Sequence, residues 1–182
     1  MDQEKQTAFM EAYNPCHDAF IRYCSALAYG KMELEDFVQE ILLSAYKHFD
    51  KIRKKDQFLH YLIRAARFYA ISRGRKKNFE MALHEQHGEK LRSQGVEPEM
   101  LLDIQLMYRM LDQLPAKQKE AIILFEISGF SMKEIAKIQD SSPGAVKTRI
   151  SRGRKKLAKM MEERKPTHSI SSILGTIQML CL

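Results

Sequence analysis

The stretch from Ser131 to Leu157, SMKEIAKIQDSSPGAVKTRISRGRKKL, constrains this chain most, because it holds two helix starts separated by a tight turn. Ser131 stands three residues before Glu134, the spacing of a capping box, which satisfies orphan N–H groups where a helix begins. That predicts a short helix to about Gln139. Asp140-Ser141-Ser142-Pro143-Gly144 then breaks it, with Asp140 suited to a left-handed turn, Ser142 as N-cap and Pro143 at the first helical position. The pattern is a helix-turn-helix.

At about 100° per residue, Val146, Ile150, Gly153 and Leu157 share a narrow sector of the second helix, a buried edge with a close-approach point at Gly153. The opposite sector carries Gly144, Thr148, Ser151, Arg152 and Lys155, with Lys147, Arg149, Arg154 and Lys156 on its flanks. This division suits a recognition helix, in which middle positions read base edges and flanking cations hold phosphates. From Lys147 to Lys159 there are seven basic residues and no acidic one, whereas an ordinary solvated face interleaves both signs.

Charge follows the same division. Of the net +7, residues 1–77 carry +4 (14 basic against 10 acidic), 78–112 carry −4 (3 against 7) and 113–165 carry +7 (13 against 6). Two basic blocks flanking an acidic connector point to two places where a polyanion is held. Cys16, Cys24 and Cys181 have no metal-type spacing and read as reduced thiols of a cytosolic protein. No run of 18 apolar residues occurs, so no membrane insertion is expected.

Upstream, residues 4–30 read as helical scaffold broken at Asn14-Pro15 and stopped at Gly30. A helix over about 34–49 buries Leu34, Phe37, Val38, Ile41, Leu42 and Ala45, and turns Asp36, Gln39, Glu40, Leu43 and Lys47 outward. A leucine among carboxylates fits docking on a basic partner, with a solvated face as the plain alternative. The next helix, 57–72, buries Phe58, Leu59, Leu62, Ala66, Tyr69 and Ala70. Its outer side presents Tyr61, Arg64, Arg67 and Phe68 and runs into Arg73 and Arg75. Rings interleaved with arginines suit single-stranded nucleic acid, while Tyr61 and Phe68 equally suit packing on a neighbouring helix.

Residues 78–98 are polar, contain Gly88, Gly95 and Pro98, and read as a flexible linker. At about 3.3 Å per residue such a linker extends to roughly 70 Å, on the order of two duplex turns. His84 and His87 have no nearby cysteine, and no metal is assigned. Beyond it, Leu101, Leu102, Ile104, Leu106, Met107, Met110 and Leu111 predict a core helix, and Ala116 to Ile127 another that closes over the helix-turn-helix through Ala121, Ile122, Leu124 and Phe125. After Pro166 the chain turns uncharged, with Ile170, Ile173, Leu174, Ile177, Leu180 and Leu182 on one helical face. Docking on the chain's own domains is expected, with binding to another protein as the alternative.

The expected fold is therefore all-α: two small helical domains, 1–77 and 99–165, joined by the 78–98 linker and followed by an apolar tail, 166–182. No glycine-rich phosphate loop, metal cluster or nucleophile–base pair marks an enzyme, and no cofactor is expected.

These residues also resemble a known family. Over roughly 5–165 the chain is similar to bacterial sigma-70 family proteins of the extracytoplasmic-function (ECF) type. Glu35-Asp36-Phe37-Val38-Gln39-Glu40 resembles the region 2 helix that binds the polymerase β′ clamp helices, which implies contacts at Asp36, Gln39, Glu40 and Leu43. Residues 58–67, FLHYLIRAAR, resemble the helix that melts and reads the minus-10 element, with Tyr61 where the family commonly has Trp. Phe68 stands where Asn is usual, and Phe125 where some members use Arg. Leu114-Pro115 with 131–157 resembles region 4, the reader of the minus-35 element. The resemblance implies a cytoplasmic transcription initiation factor with core RNA polymerase (β′ clamp helices and β flap), promoter DNA and an anti-sigma factor as partners. A free-standing helix-turn-helix repressor is the alternative, and it has no need of the Asp36 face.

Overall fold

The computed structural model describes residues 2–52, 57–73 and 95–180, and all regular structure among them is helical. Helices α1 (Asp2–Tyr13), α2 (His17–Ala28), α3 (Leu34–Lys47) and α4 (Phe58–Arg73) form the first bundle. Asn14-Pro15-Cys16 makes a single 3₁₀ turn between α1 and α2, at the break the proline predicts. Phe9 organises the first core: its ring meets Tyr46, Phe49 and Phe58 edge-on at 5.3, 5.3 and 5.4 Å. Edge-to-face pairs of this kind add about 0.5–1.5 kcal/mol each beyond burial.

The second bundle comprises α5 (Pro98–Asp112), α6 (Ala116–Ile122), α7 (Met132–Ile138), α8 (Pro143–Arg164) and α9 (Ile170–Leu180). The helix expected through Ile127 stops being α-helical at Ile122 and widens into a π-turn, Ile123–Ile127. There the Ser128 amide reaches back to the Ile123 carbonyl at 2.9 Å, and the Ser128 hydroxyl caps the same oxygen at 3.1 Å. Ile123, Leu124 and Ile127 are all fully buried within this turn. Leu102, expected in the core, is 64% exposed, because Leu101, Ile104, Met107 and Leu111 already fill the buried side of α5.

The apolar tail folds back as α9 on α5 and the π-turn, burying Ile173, Leu174 and Ile177. Its entry is fixed by buried Asp103, which accepts from the Thr167 amide (3.4 Å), the His168 amide (2.8 Å) and His168 Nδ1 (2.9 Å).

The two bundles share one continuous apolar core rather than standing apart. Helix α2 packs on the π-turn and α4 on α7. Tyr29 stacks on Tyr108 with ring centroids 3.9 Å apart and planes at 11°. Lys31 Nζ lies 2.8 Å from Asp112 Oδ1, a carboxylate that also pairs with Lys119. The linker that sequence assigns to 78–98, with His84 and His87, falls largely outside the described residues, as do Arg75, Cys181 and Leu182.

Candidate nucleic-acid interface

The helix-turn-helix forms from its own local chemistry. The Glu134 amide donates to Ser131 Oγ at 3.3 Å, and the Ser131 amide returns a bond to Glu134 Oε2 at 2.8 Å. Hydrogen bonding from the Ser131 hydroxyl is the main reason the Glu134 carboxyl is held below its ordinary range. Asp140 takes the left-handed conformation at φ 46°, and the Ala145 amide donates to the Ser142 hydroxyl at 3.2 Å to start α8 behind Pro143. These are the turn and caps that the sequence predicts.

Val146, Ile150, Gly153 and Leu157 are all buried, with Met161 extending the edge. A Cβ on Gly153 would sit 3.0 Å from Ile122 Cγ1, so glycine permits α8 to lie this close to α6. The reverse side presents Gly144, Lys147, Thr148, Ser151, Arg152 and Lys155 to solvent. Thr148 Oγ1 donates to the Gly144 carbonyl at 3.0 Å, which leaves its lone pairs facing outward.

Two expected phosphate contacts are engaged within the protein. Arg154 Nε and Nη2 lie 2.7 and 2.5 Å from Glu126 Oε1, and its guanidinium carbon is 5.7 Å from the centroid of the Phe125 ring. Phe125, partly buried against the core, is therefore also a platform for Arg154. Arg149 is half-buried, and its Nη1 donates to Gln139 Oε1 at 2.6 Å and Ser141 Oγ at 2.9 Å.

On α3 the outward set is as expected: Asp36, Gln39, Glu40 and Leu43 are exposed on one face, Leu43 by 57%. On α4, Phe68 is 76% exposed, while Tyr61 is half-buried and stacked near Phe58 at 6.3 Å. Arg64 and Arg67 point at the second bundle. Arg64 Nη2 donates to Asp140 Oδ1 at 2.8 Å and to the Lys137 carbonyl at 3.2 Å. Arg67 Nε lies 3.5 Å from Glu120 Oε1, which Tyr23 Oη also approaches at 3.4 Å. The Arg73 side chain is not among those described.

Sequence reasoning missed the group at the centre of these contacts. Glu120 and Gln139 are buried polar side chains, joined by a bond from Gln139 Nε2 to Glu120 Oε2 at 2.9 Å. A carboxylate at position 120, within the largely apolar stretch 114–127, was the available signal, since such a group must find partners. Among the described residues no group of three or more His, Cys, Asp or Glu is placed to hold a metal ion, and no helix is long and apolar enough to cross a membrane.

Comparison with known proteins assigns both bundles. Sigma-70 region 2 matches residues 12–80, and sigma-70 region 4 matches 104–157. The chain is 31% identical to the ECF RNA polymerase sigma factor SigW of Bacillus subtilis over 170 residues, 87% of this chain and 91% of that one. It is 31% identical over 134 residues to the ECF RNA polymerase sigma-E factor of Escherichia coli K12, covering 67% and 70% of the two. The structure is similar to the sigma factor RpoE solved in complex with the anti-sigma factor NepR from Bartonella quintana, with TM-score 0.61, 26% identity and coverage of 85% and 96%. These relatives are sigma factors, so the repressor reading is not retained. On these matches and on a fold that seats a helix-turn-helix behind a four-helix bundle, the chain belongs to the ECF RNA polymerase sigma factors.

Proposed function

We propose that this sigma factor docks on the β′ clamp helices of core RNA polymerase through Asp36, Gln39, Glu40 and Leu43, with the β flap as a second contact. The observation that carries this reading is the α3 face itself, which exposes Leu43 on the same side as Asp36, Gln39 and Glu40. Apolar contact at Leu43 gives area, and the carboxylates set register on a basic surface. The protein supplies recognition and polymerase performs the chemistry, so the factor works in the cytoplasm without a cofactor or a catalytic residue of its own. An anti-sigma factor is a further proposed partner, supported by the bound state of the structural relative.

The minus-10 strand falls to Tyr61, Arg64, Arg67, Phe68, Arg73 and Arg75. Extruding a base costs a few kcal/mol. Stacking at about 1–3 kcal/mol per base offsets that, and exposed Phe68 is the side chain best placed to supply it. Phe68 cannot hydrogen-bond a base, so this chain's minus-10 preference rests on stacking and on neighbouring arginines. The minus-35 duplex falls to Gly144, Lys147, Thr148, Ser151, Arg152 and Lys155 on α8, while Arg149, expected among them, is turned inward to Gln139.

Reading both elements together requires the bundles to separate. As folded, Arg64 of the minus-10 face touches Asp140 of the helix-turn-helix, whereas two promoter elements lie more than one duplex turn, about 34 Å, apart. The compact form is thus a resting form, and the two arginines exchange carboxylates for phosphates when it opens.

Gel filtration with bacterial core RNA polymerase tests the reading, wild type beside Asp36→Arg/Glu40→Arg. Co-elution that the double variant loses, with its fold intact by circular dichroism, is the expected result. Equal co-elution of both proteins removes α3 as the docking face.

A further inference from the structure

A buried polar chain runs through the second bundle from α6 to α8. Glu120, on α6, is 8% exposed, and Gln139, at the end of α7, is 6% exposed. Gln139 Nε2 donates to Glu120 Oε2 at 2.9 Å and to the Lys117 carbonyl at 3.1 Å. Gln139 Oε1 accepts from Arg149 Nη1 at 2.6 Å, and the same nitrogen donates to Ser141 Oγ in the turn at 2.9 Å. The amide has one possible orientation, because its nitrogen faces a carboxylate and a carbonyl while its oxygen faces a guanidinium. An anion and a cation are so joined through a neutral amide, and four segments are tied together: α6, the end of α7, the turn, and the second turn of α8.

This arrangement sets Arg149 apart from Lys147, Arg152 and Lys155, and its burial sets it apart from Arg154, which pairs with Glu126 but stays exposed. Lys147, Arg152 and Lys155 are exposed and make no hydrogen bond to the other described residues, whereas Arg149 is half-buried and directed inward. The buried edge of α8 fixes its distance from α6 at Gly153, but an apolar edge lets a helix roll about its own axis. Charge-assisted hydrogen bonds are directional and oppose that roll. Roll is the motion that carries Lys147, Thr148 and Ser151 off their base edges, and such contacts tolerate only about 0.5 Å of error.

We infer that Arg149, held by Gln139 and through it by Glu120, is a positioning residue for minus-35 recognition. It sets the roll of α8 and is not one of the phosphate grips. The inference deepens the proposed function, since it rests on α8 entering the major groove.

Salt dependence separates the two roles. Each phosphate contact releases counterions and contributes about one unit to the slope of log affinity against log salt, and a strut contributes none. The assay uses the full chain assembled with core RNA polymerase, a duplex selected by the wild-type holoenzyme from a random-sequence library, and an unselected duplex for comparison. Gln139→Ala and Arg149→Ala are expected to weaken the selected duplex at least tenfold. Their salt slopes should stay within about 0.3 of wild type, and binding to the unselected duplex within about twofold. Lys147→Ala and Arg152→Ala should each lower the slope by about 1. Gln139→Ala removes no charge, so it carries the test should Arg149→Ala prove unfolded by thermal melting. A slope lowered by about 1 in Arg149→Ala, or wild-type affinity in Gln139→Ala, overturns the inference while leaving major-groove docking intact. Lys147→Ala and Arg152→Ala without effect on affinity or slope overturn major-groove docking itself, and the inference with it.

Discussion

Arg64 and Asp140 meet across the two bundles, with Nη2 and Oδ1 at 2.8 Å, and so join the proposed minus-10 face to the turn that starts α8. The pair is more than half exposed on both sides, 54% and 82%, which marks it as a contact that water and salt weaken readily. Exposed pairs of this kind contribute about 0–1 kcal/mol. Closure is therefore held mainly by the shared core and the Tyr29–Tyr108 stack, and trimmed by charge.

Asp140→Asn keeps a side chain that tolerates the left-handed turn and removes the charge facing Arg64. Together with Lys31→Ala it should shift the chain toward the open form by a few-fold. Fluorescence energy transfer between labels on α1 and on α8 reads the change, and raising salt from 0.1 to about 1 M should reproduce part of it in wild type. No gain in separation in either experiment would show that charge does not hold the bundles together.

Gly153→Val inserts two methyl groups beyond a Cβ that already sits 3.0 Å from Ile122 Cγ1, a side chain with no exposed surface. Overpacking costs about 1–3 kcal/mol, and displacement of α8 from α6 should accompany it. The expected result is a lower melting temperature with weakened minus-35 binding and intact core polymerase binding. A variant as stable as wild type removes the close-approach argument.

Asp112 provides an acid-sensitive contact between the bundles. Burial by itself raises its carboxyl, but hydrogen bonds and charge from Lys119 and Lys31 more than reverse that and hold it below its ordinary value of 3.8. A depressed folded value means that the carboxylate contributes stability above the unfolded value and loses it as pH falls through the folded one. Closure should hold at pH 6 and loosen below about pH 4. In Asp112→Asn the part of that acid loss due to this group should vanish, which a pH series of urea melts on both proteins would detect.

Tail docking rests on Ile173, Leu174 and Ile177 inside and Asp103 at the entry. Ile177→Ala should cost about 2–5 kcal/mol by cavity formation. Asp103→Ala, which leaves two amides and an imidazole unpaired, should cost about 1–3 kcal/mol. Chemical denaturation measures both, and a cost below about 0.5 kcal/mol for Ile177→Ala is what a merely surface-laid helix would give.

Much of the site was readable in advance because its causes are local. Ser131 and Glu134 are three residues apart, Ser142 and Ala145 likewise, and the buried edge of α8 follows from one helical period. The exposed α3 face was legible for the same reason. Less accessible was the inward engagement of Arg149 and Arg154, which a helical wheel places beside the solvent-facing cations. A wheel gives direction about one axis but not which neighbouring carboxylate or amide waits there. The π-turn escaped notice because Ile123, Leu124 and Ile127 share one sector of a regular helix as well, so the apolar pattern carries no sign of the wider turn.

By itself the sequence determined the all-helical class, the caps and turn of the helix-turn-helix, the buried edge of α8 and the apolar face of the tail, since each depends on residues within a few positions of one another. Only the tertiary structure decided that the bundles close on each other, that Arg64 and Arg67 meet Asp140 and Glu120, and that Glu120 and Gln139 support Arg149. Arg64 and Asp140 are 76 positions apart in the chain. Contacts at that separation carry no periodicity or spacing to read, because they form only where packing of whole helices brings their partners within reach.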